Sequence, residues 1–162
     1  MIKILFVCHG NICRSPMAEY ILKNMLDQNS IKDDFYVASA ATSTEEIWNG
    51  IGNPIYPPAA RELKRHGIGN TPYTDFSSKH AVQVRKEDYE FYDYILCADS
   101  ANIRNTLRIT GPDTAHKVHL ILDYAGRTGQ SIADPWYSGD FVQTYQDLEE
   151  GLKGFLKSLG FL

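Results

Sequence analysis

Short apolar runs alternate along this chain with longer segments in which apolar residues recur every three or four positions. The short runs have the length of buried strands, and the longer segments have the period of helices with one apolar face. The predicted strands cover Ile2–Val7, Phe35–Ser39, Asp93–Cys97 and Lys117–Leu122. The predicted helices cover Pro16–Gln28, Ile55–His66, Lys86–Tyr92, Ser100–Ile109 and Phe141–Leu159.

This order of elements predicts an α/β fold of three layers, in which a doubly wound four-stranded parallel sheet carries helices on both faces. A length of 162 residues suits one domain over residues 1–162. The last helix has the clearest signals, since Asp140 suits its N-cap and Gly160 follows its end. Two long segments, Ala40–Pro54 and Asp123–Gly139, are expected to be irregular loops.

Polar and reactive residues follow all four predicted strands. Cys8 follows the first strand, the Ala40–Pro54 loop the second, Asp99 the third and the Asp123–Gly139 loop the fourth. In open α/β sheets, ligands bind at the carboxyl ends of the strands. The sequence therefore predicts one site at that edge, with Asp99 either in the site or capping the helix that begins at Ser100.

Cys8 and Arg14 lie six positions apart between the first strand and the first helix. Backbone N–H groups in such a loop, together with the electropositive start of a helix, can hold an oxyanion. The planar guanidinium of Arg14 can bind two oxygens of a phosphate. The same positive field favours a thiolate at Cys8, which could attack phosphorus.

The residues between Cys8 and the first helix suit a tight turn. Gly10 permits a positive φ or a close approach to a ligand, and Asn11 tolerates the left-handed conformation while its amide ties the loop together. Ser15 suits the N-cap and Pro16 the first helical position. The predicted phosphate-binding loop thus consists of His9, Gly10, Asn11, Ile12 and Cys13, followed by Arg14 and Ser15.

Composition limits the class of protein. A net charge of −4 argues against general binding to nucleic acid or to an anionic membrane, and a hydrophobic share of 43% is that of a soluble protein. Three cysteines make no disulfide framework, and neither a signal peptide nor a membrane span is evident. We expect a cytoplasmic monomer that needs no cofactor or metal, since no cluster has metal-ligand spacing.

The stretch Val7-Cys8-His9-Gly10-Asn11-Ile12-Cys13-Arg14-Ser15-Pro16 resembles the active-site loop of the low-molecular-weight protein tyrosine phosphatases. The likeness extends to Trp48-Asn49-Gly50, to Tyr94–Asp99 and to Ile132–Tyr137, and so covers essentially the whole chain. The resemblance implies hydrolysis of phosphotyrosine in protein substrates, and of small aryl phosphates, through a phosphocysteine on Cys8.

Attack by a cysteine expels an alkoxide or phenoxide, which needs a proton from a positioned acid. Asp134 is the candidate, because it forms the only Asp-Pro pair and adjoins Trp136 and Tyr137, whose rings can shield it from water. The family likeness implies that Asp134 is the general acid and later the general base. It also implies that Ser15 donates a hydrogen bond to the sulfur of Cys8.

Aromatic residues predict the sides of the substrate site. Trp48, Trp136 and Tyr137 can form a slot for an aromatic ring, which favours phosphotyrosine. By resemblance, Ile12 points the same way, since relatives acting on phosphoarginine tend to carry threonine there. The resemblance further implies that Ser43 and His66 support Asn11, and that Cys8 and Cys13 can form a reversible disulfide.

Three other functions remain open from the residues. An arsenate reductase on the same fold would need two further cysteines near the third strand, where only Cys97 is present. A phosphotyrosine-binding module without activity would be expected to lack the nucleophile or the acid. A redox sensor would use Cys8 and Cys13, and the phosphate loop would then have no purpose.

Overall fold

A four-stranded parallel sheet forms the middle layer of the computed structural model, which describes residues 1–162. The chain contains six strands, namely β1 (Ile2–Cys8), β2 (Phe35–Ala41), β3 (Ile47–Trp48), β4 (Ile51–Gly52), β5 (Tyr94–Cys97) and β6 (Val118–Leu120). The sheet has the order β2-β1-β5-β6, and β3 and β4 form a separate antiparallel hairpin. The predicted α/β sheet is therefore confirmed.

Helices cover both faces of this sheet. They are α1 (Arg14–Gln28), α2 (Pro57–Arg65), α3 (Asp88–Phe91), α4 (Ser100–Thr110), α5 (Pro135–Ser138) and α6 (Phe141–Ser158), with 3₁₀ turns at Lys32–Asp34 and Ile121–Ala125. Alternate residues of β1 point to opposite faces, as a strand requires. Ile4 and Phe6 enter the larger core beneath α1 and α6, whereas Leu5 and Val7 pack in a smaller core beside α4. No helix has the length and apolar character that a membrane crossing requires.

The predicted elements are present with shifted ends. The fourth strand stops at Leu120, because a 3₁₀ turn follows in which the carboxylate of Asp123 accepts a hydrogen bond from the Leu120 N–H. Asp140 caps α6 as predicted, its carboxylate accepting a hydrogen bond from the Gln143 N–H. The prediction that Ser15 caps α1 is wrong, because the helix begins at Arg14 and the hydroxyl of Ser15 bonds elsewhere.

The segment Ala40–Pro54 is not the irregular loop that was predicted. It contains the β3–β4 hairpin, in which Trp48 pairs with Ile51 across Asn49 and Gly50. Both turn residues have positive φ, 49° and 76°, which is the backbone of a tight two-residue hairpin. An Asn-Gly pair is a strong signal for such a turn, so the sequence carried this information.

A segment from His80 to Val84 fastens the hairpin to the sheet. Ala41 N–H donates to the Val82 carbonyl, Val84 N–H donates to the Ala41 carbonyl, and Ala81 N–H donates to the Asn53 carbonyl. Gly52 allows this contact, because a Cβ built there would lie 1.9 Å from the carbonyl oxygen of Ala81. The backbone at the carboxyl edge of β2 is thereby held on two sides.

We expect Gly52→Ala to lower the free energy of unfolding by about 1–3 kcal/mol, because the new methyl group would collide with backbone rather than with a flexible side chain. Urea denaturation measures the change. Ile51→Ala is the matched control, since the Ile51 side chain on the same hairpin is 71% exposed and its loss should change stability by less than about 0.5 kcal/mol. Equal stability of the two variants would contradict the packing described for Gly52.

Candidate active site

The loop that joins β1 to α1 offers backbone donors that the protein itself does not use. The N–H groups of residues 12–15 donate to no acceptor within the chain. Asn11 makes the turn possible, with a φ of 60° in the left-handed region that asparagine tolerates. These donors lie at the start of the 15-residue helix α1, where the helix dipole favours an anion.

Cys8 is the last residue of β1 and is only 3% exposed. Its Sγ lies 2.9 Å from the Ser15 Oγ and accepts a hydrogen bond from the Asn11 N–H at 3.3 Å. Thr42 N–H donates to the Cys8 carbonyl, which ties the end of β1 to the segment after β2. The sulfur is thus held at the base of the loop, within hydrogen-bond distance of the Ser15 hydroxyl and the Asn11 N–H.

A chain of hydrogen bonds behind the loop orients the Asn11 side chain and connects Ser15 to Glu19. Val82 N–H donates to the Asn11 Oδ1, so the Asn11 Nδ2 must face the hydroxyls of Ser15 and Ser39, 2.8 and 3.0 Å away. Ser39 donates its own proton to the Glu19 Oε1 at 2.6 Å. The Ser15 oxygen accepts from Asn11, so its hydroxyl proton can point at the Cys8 Sγ, 2.9 Å away, or at the Ala40 carbonyl, 3.5 Å away, and the sulfur is the nearer of these two acceptors.

Glu19 anchors this chain from inside the protein. Its side chain is 5% exposed and pairs with the Lys23 Nζ at 2.8 Å. The Lys79 Nζ lies 3.9 Å from the same carboxylate and donates to the Ser39 carbonyl at 3.0 Å. Burial lowers the pKa of Lys79, and the charge of Glu19 offsets only part of that effect. A buried carboxylate with two cations and a hydroxyl donor is well satisfied, which explains how this polar cluster is tolerated.

Arg14 is buried and held by acceptors from two other loops. Its Nη1 donates to the Asp99 Oδ2 at 2.8 Å and to the Ile132 carbonyl at 2.9 Å, and its side chain is 3% exposed. Burial alone would lower the pKa of Arg14, but Cys8, Asp99 and Asp134 together raise it. Asp99 also caps α4, because its Oδ1 accepts from the Asn102 N–H. Asp99 therefore both contacts Arg14 of the site and caps α4, which are the two positions that the sequence left open for it.

Asp134 lies at the start of the short helix α5. Its Oδ1 accepts a hydrogen bond from the Trp136 N–H at 3.0 Å, and its Oδ2 lies 3.6 Å from the Arg14 Nη2. The side chain is 30% exposed, so the carboxyl group can reach both the pocket and water. Asp134 and Cys8, which lie near opposite ends of the chain, thus line one pocket.

This pocket has a cavity volume of about 140 Å³. Its floor is the loop after β1, and its walls come from the segment after β2 and from the start of α5. The lining residues are Cys8, His9, Gly10, Ile12, Cys13, Arg14, Glu45, Glu46, Asp134, Trp136 and Tyr137. The prediction that all the strand-end segments converge on one site therefore agrees with the geometry.

Trp48 does not line the pocket with the other two aromatic residues. It lies on the β3–β4 hairpin with 75% of its surface exposed. Trp136 packs on Tyr56 with the ring centroids 4.8 Å apart, and Tyr137 projects into solvent at 86% exposure. Of the three aromatic residues predicted to form a slot, Trp136 and Tyr137 therefore line the pocket and Trp48 does not.

Ser43 and His66 do not contact Asn11, so that expectation is wrong. The Ser43 Oγ accepts only a local hydrogen bond from the Glu45 N–H. His66 ends α2, where it bonds to Glu62 at 2.8 Å and stacks on the Tyr145 ring. Ser39 is the serine that supports Asn11, because β2 pairs in parallel with β1 and places Ser39 beside Phe6, next to the loop.

Two loop residues differ in detail from what the sequence suggested. Gly10 does not adopt a positive φ; a Cβ there would lie 3.2 Å from the Cγ of Glu46, so the residue serves close approach. Cys13 is 5% exposed, and burial raises its pKa, an effect that Cys8 reinforces. This raised pKa favours the neutral thiol form of Cys13, and the disulfide between Cys13 and Cys8 stays a prediction.

Sequence reasoning missed Glu19, Ser39, Lys79, Glu45 and Glu46. Glu19 gave the one available signal, because it stands within the apolar pattern of the first helix. A charged residue is rarely buried unless it is paired, so its position could have indicated a buried partner. The other residues lie on a strand or in loops whose contacts depend on strand pairing. No group of three or more His, Cys, Asp or Glu side chains is placed to hold a metal ion.

Comparison with known proteins places this site in a family. A family model described as low molecular weight phosphotyrosine protein phosphatase matches residues 3–160. The enzyme of that name from Gallus gallus is 36% identical over 159 residues, which cover 95% of this chain and 93% of the relative. The structure of YfkJ from Bacillus subtilis has a TM-score of 0.87 at 32% identity and covers 99% of this chain and 95% of YfkJ.

A second solved structure has the same fold. SP-PTP, the low molecular weight protein tyrosine phosphatase from Streptococcus pyogenes, has a TM-score of 0.80 at 35% identity and covers 98% of this chain and 93% of its own. The fold is that of the low-molecular-weight protein tyrosine phosphatases. This chain belongs to the low molecular weight phosphotyrosine protein phosphatase family.

We expect Ser39→Ala to lower the free energy of unfolding by about 1–3 kcal/mol, because it removes one hydrogen-bond partner from the buried Asn11 amide and one from the buried Glu19 carboxylate. It should also lower kcat with little change in KM, since Ser39 positions the loop through Asn11 and touches no substrate. Urea denaturation and steady-state kinetics measure these effects. Ser43→Ala is the control and should match the unaltered protein in stability and kcat. A larger loss of stability and kcat in Ser43→Ala than in Ser39→Ala would contradict the hydrogen-bond chain described for Ser39.

Proposed function

We propose that this chain hydrolyses phosphotyrosine in protein substrates by double displacement, with Cys8 as nucleophile and Asp134 as general acid and base. The observation that carries the proposal is the set of free backbone donors at residues 12–15, in a loop that lines one pocket together with Cys8 and Arg14. We further infer that residues 1–162 act as one domain and as a monomer in the cytoplasm, without nucleic acid, membrane or cofactor.

In the first step, the Cys8 thiolate attacks phosphorus and the bond from phosphorus to the tyrosine oxygen breaks. Asp134 gives its proton to the leaving oxygen, and a phosphocysteine forms. The transferring group carries its charge on three equatorial oxygens. The amides of residues 12–15 and the guanidinium of Arg14 stabilise that charge, and they need little reorganisation because Asp99 and the Ile132 carbonyl already hold Arg14.

In the second step, water attacks the phosphocysteine. Asp134, now a carboxylate, takes a proton from that water, and the bond between phosphorus and sulfur breaks to release inorganic phosphate and the Cys8 thiolate. Sulfur leaves more readily when a hydrogen bond stabilises its negative charge. The Ser15 hydroxyl, 2.9 Å from the sulfur and oriented by Asn11, is placed to supply that bond.

The pocket favours an aryl phosphate as substrate. Trp136 and Tyr137 line its wall with exposed rings, which can flank the ring of a tyrosine. Ile12 gives the lining an apolar residue where a threonine would offer a hydroxyl to a phosphorylated guanidinium. Both features favour phosphotyrosine over phosphoarginine.

The competing functions find less support. An arsenate reductase would need Cys97 as part of a thiol relay, but Cys97 is fully buried and burial raises its pKa to about 12. A binding module would have no use for an acid at the rim of the pocket. A redox sensor would leave the phosphate loop unexplained.

We expect rapid turnover of a phosphotyrosine peptide and little turnover of the same peptide carrying phosphoarginine. Cys8→Ser should abolish the reaction, because a serine hydroxyl is a far weaker nucleophile than a thiolate at neutral pH. Phosphate release measures both rates, with arsenate reduction assayed in parallel. A preference for phosphoarginine would show that Ile12 does not set the substrate class, and turnover of neither peptide by folded, reduced protein would overturn the proposed function.

We expect Asp134→Asn to discriminate between leaving groups. A general acid contributes roughly 10²–10⁴-fold when the leaving oxygen is basic. Turnover of phenyl phosphate or a phosphotyrosine peptide should therefore fall by about that factor, whereas p-nitrophenyl phosphate, which expels a stabilised phenolate, should lose much less. The initial burst of phenolate from each substrate isolates the first step. An equal loss on every substrate would count against Asp134 as the acid.

A further inference from the structure

The mouth of the pocket is acidic although its floor carries the free backbone donors of residues 12–15. The pocket wall contains three carboxyl side chains, from Glu45, Glu46 and Asp134. Its only basic residues are Arg14 and His9. Arg14 is already paired with Asp99 and Asp134, and the Nε2 of His9 lies 3.0 Å from the Glu45 Oε2. Negative charge therefore dominates the rim.

Glu46 is held in place at this rim. Its Oε2 accepts a hydrogen bond from the Asn53 Nδ2 at 2.7 Å, and its backbone carbonyl accepts one from the Asn53 N–H. Its Cγ stands over Gly10, 3.2 Å from the position that a Cβ would take there. The β3–β4 hairpin lies between Glu46 and Asn53, so the turn at Asn49 and Gly50 brings these two residues together. A fixed carboxylate loses little side-chain entropy when it binds a cation.

The rim has a consequence for any phosphorylated protein that enters. A phosphate dianion must pass Glu45 and Glu46 on its way to the loop, and like charges repel each other. A cation beside the phosphorylated residue in the substrate would offset this repulsion. In the proposed first step Asp134 carries a proton, so Glu45 and Glu46 supply the charge that such a cation meets.

Aromatic surface lies next to these carboxylates. Trp136 is 52% and Tyr137 is 86% exposed, and both line the same pocket. The aliphatic stem of lysine or arginine packs well on such rings, and the cationic head is attracted to their faces. The rim thus offers the two features that recognise a long basic side chain.

We propose that the pocket mouth, with Glu46 as its main determinant, selects phosphotyrosines that have lysine or arginine immediately beside them. The inference rests on the proposed function and adds a substrate class to it. Residues adjacent to the phosphotyrosine lie at the mouth, because its side chain extends down to the loop. Phosphotyrosines flanked by aspartate or glutamate are the disfavoured class.

The test uses two phosphotyrosine peptides of equal length, one with lysine and one with glutamate on both sides of the phosphotyrosine. At an ionic strength of about 0.01 M, we expect kcat/KM to be roughly tenfold higher for the lysine peptide. The preference should shrink at about 1 M salt, where the Debye length is about 3 Å. Both peptides are assayed with the same preparation of each variant, so the amount of active enzyme cancels in the ratio.

Three variants assign the preference. Glu46→Gln should reduce it to roughly threefold or less, and Glu46→Lys should reverse it in favour of the glutamate peptide. Glu90→Gln removes the same charge from an exposed position on α3, which leads into the amino end of β5, and should leave the preference unchanged. Equal rates of the unaltered enzyme on both peptides, or a preference insensitive to both Glu46 variants, would overturn the inference alone. Turnover of neither peptide would overturn the proposed function and this inference together.

Discussion

The hydrogen-bond chain from Glu19 through Ser39, Asn11 and Ser15 to the sulfur of Cys8 is the interaction on which the rest of the site depends. Each member is buried, so each donor and acceptor needs a partner inside the protein. That requirement sets the direction of the bonds among Asn11, Ser39 and Glu19, because the Glu19 carboxylate accepts from Ser39 and the Val82 N–H can only donate to Asn11. The pairing of β1 with β2, the start of α1 at Arg14 and the segment that follows His80 all serve to complete this chain.

A second constraint concerns the charge of the site. The loop supplies an electropositive floor, while the groups that hold Arg14 and form the rim are carboxylates. Asp99 and the Ile132 carbonyl fix the guanidinium before any ligand arrives, so little rearrangement is needed when phosphate binds. Acidic groups around a cationic centre weaken the attraction for anions in general, and they leave selectivity to the geometry of the loop and to the residues that accompany the phosphate.

The sheet and the long helices could be read from the sequence because their signals are local. A continuous apolar run identifies β1, and a three-to-four-residue period with Asp140 as cap identifies α6. The ends of helices and strands were harder to predict wherever a side chain takes a backbone hydrogen bond, as the Asp123 carboxylate does from the Leu120 N–H at the end of β6. The hairpin at Asn49 and Gly50 was missed although its turn chemistry is explicit, because strands of two residues carry almost no hydrophobic pattern.

The sequence by itself determined the reactive loop, since Cys8, Asn11, Arg14 and Ser15 are neighbours along the chain and the backbone between a strand and a helix fixes their arrangement. The sequence also determined that Asp99 and Asp134 would come to that loop, because parallel strands present their carboxyl ends at one edge. Only the tertiary structure decided that Ser39 rather than Ser43 supports Asn11, that Trp48 stands apart from the pocket, and that Glu45 and Glu46 face it. Those placements depend on strand register and on the path of a loop, and a shift of a few residues along either one moves a different side chain into contact.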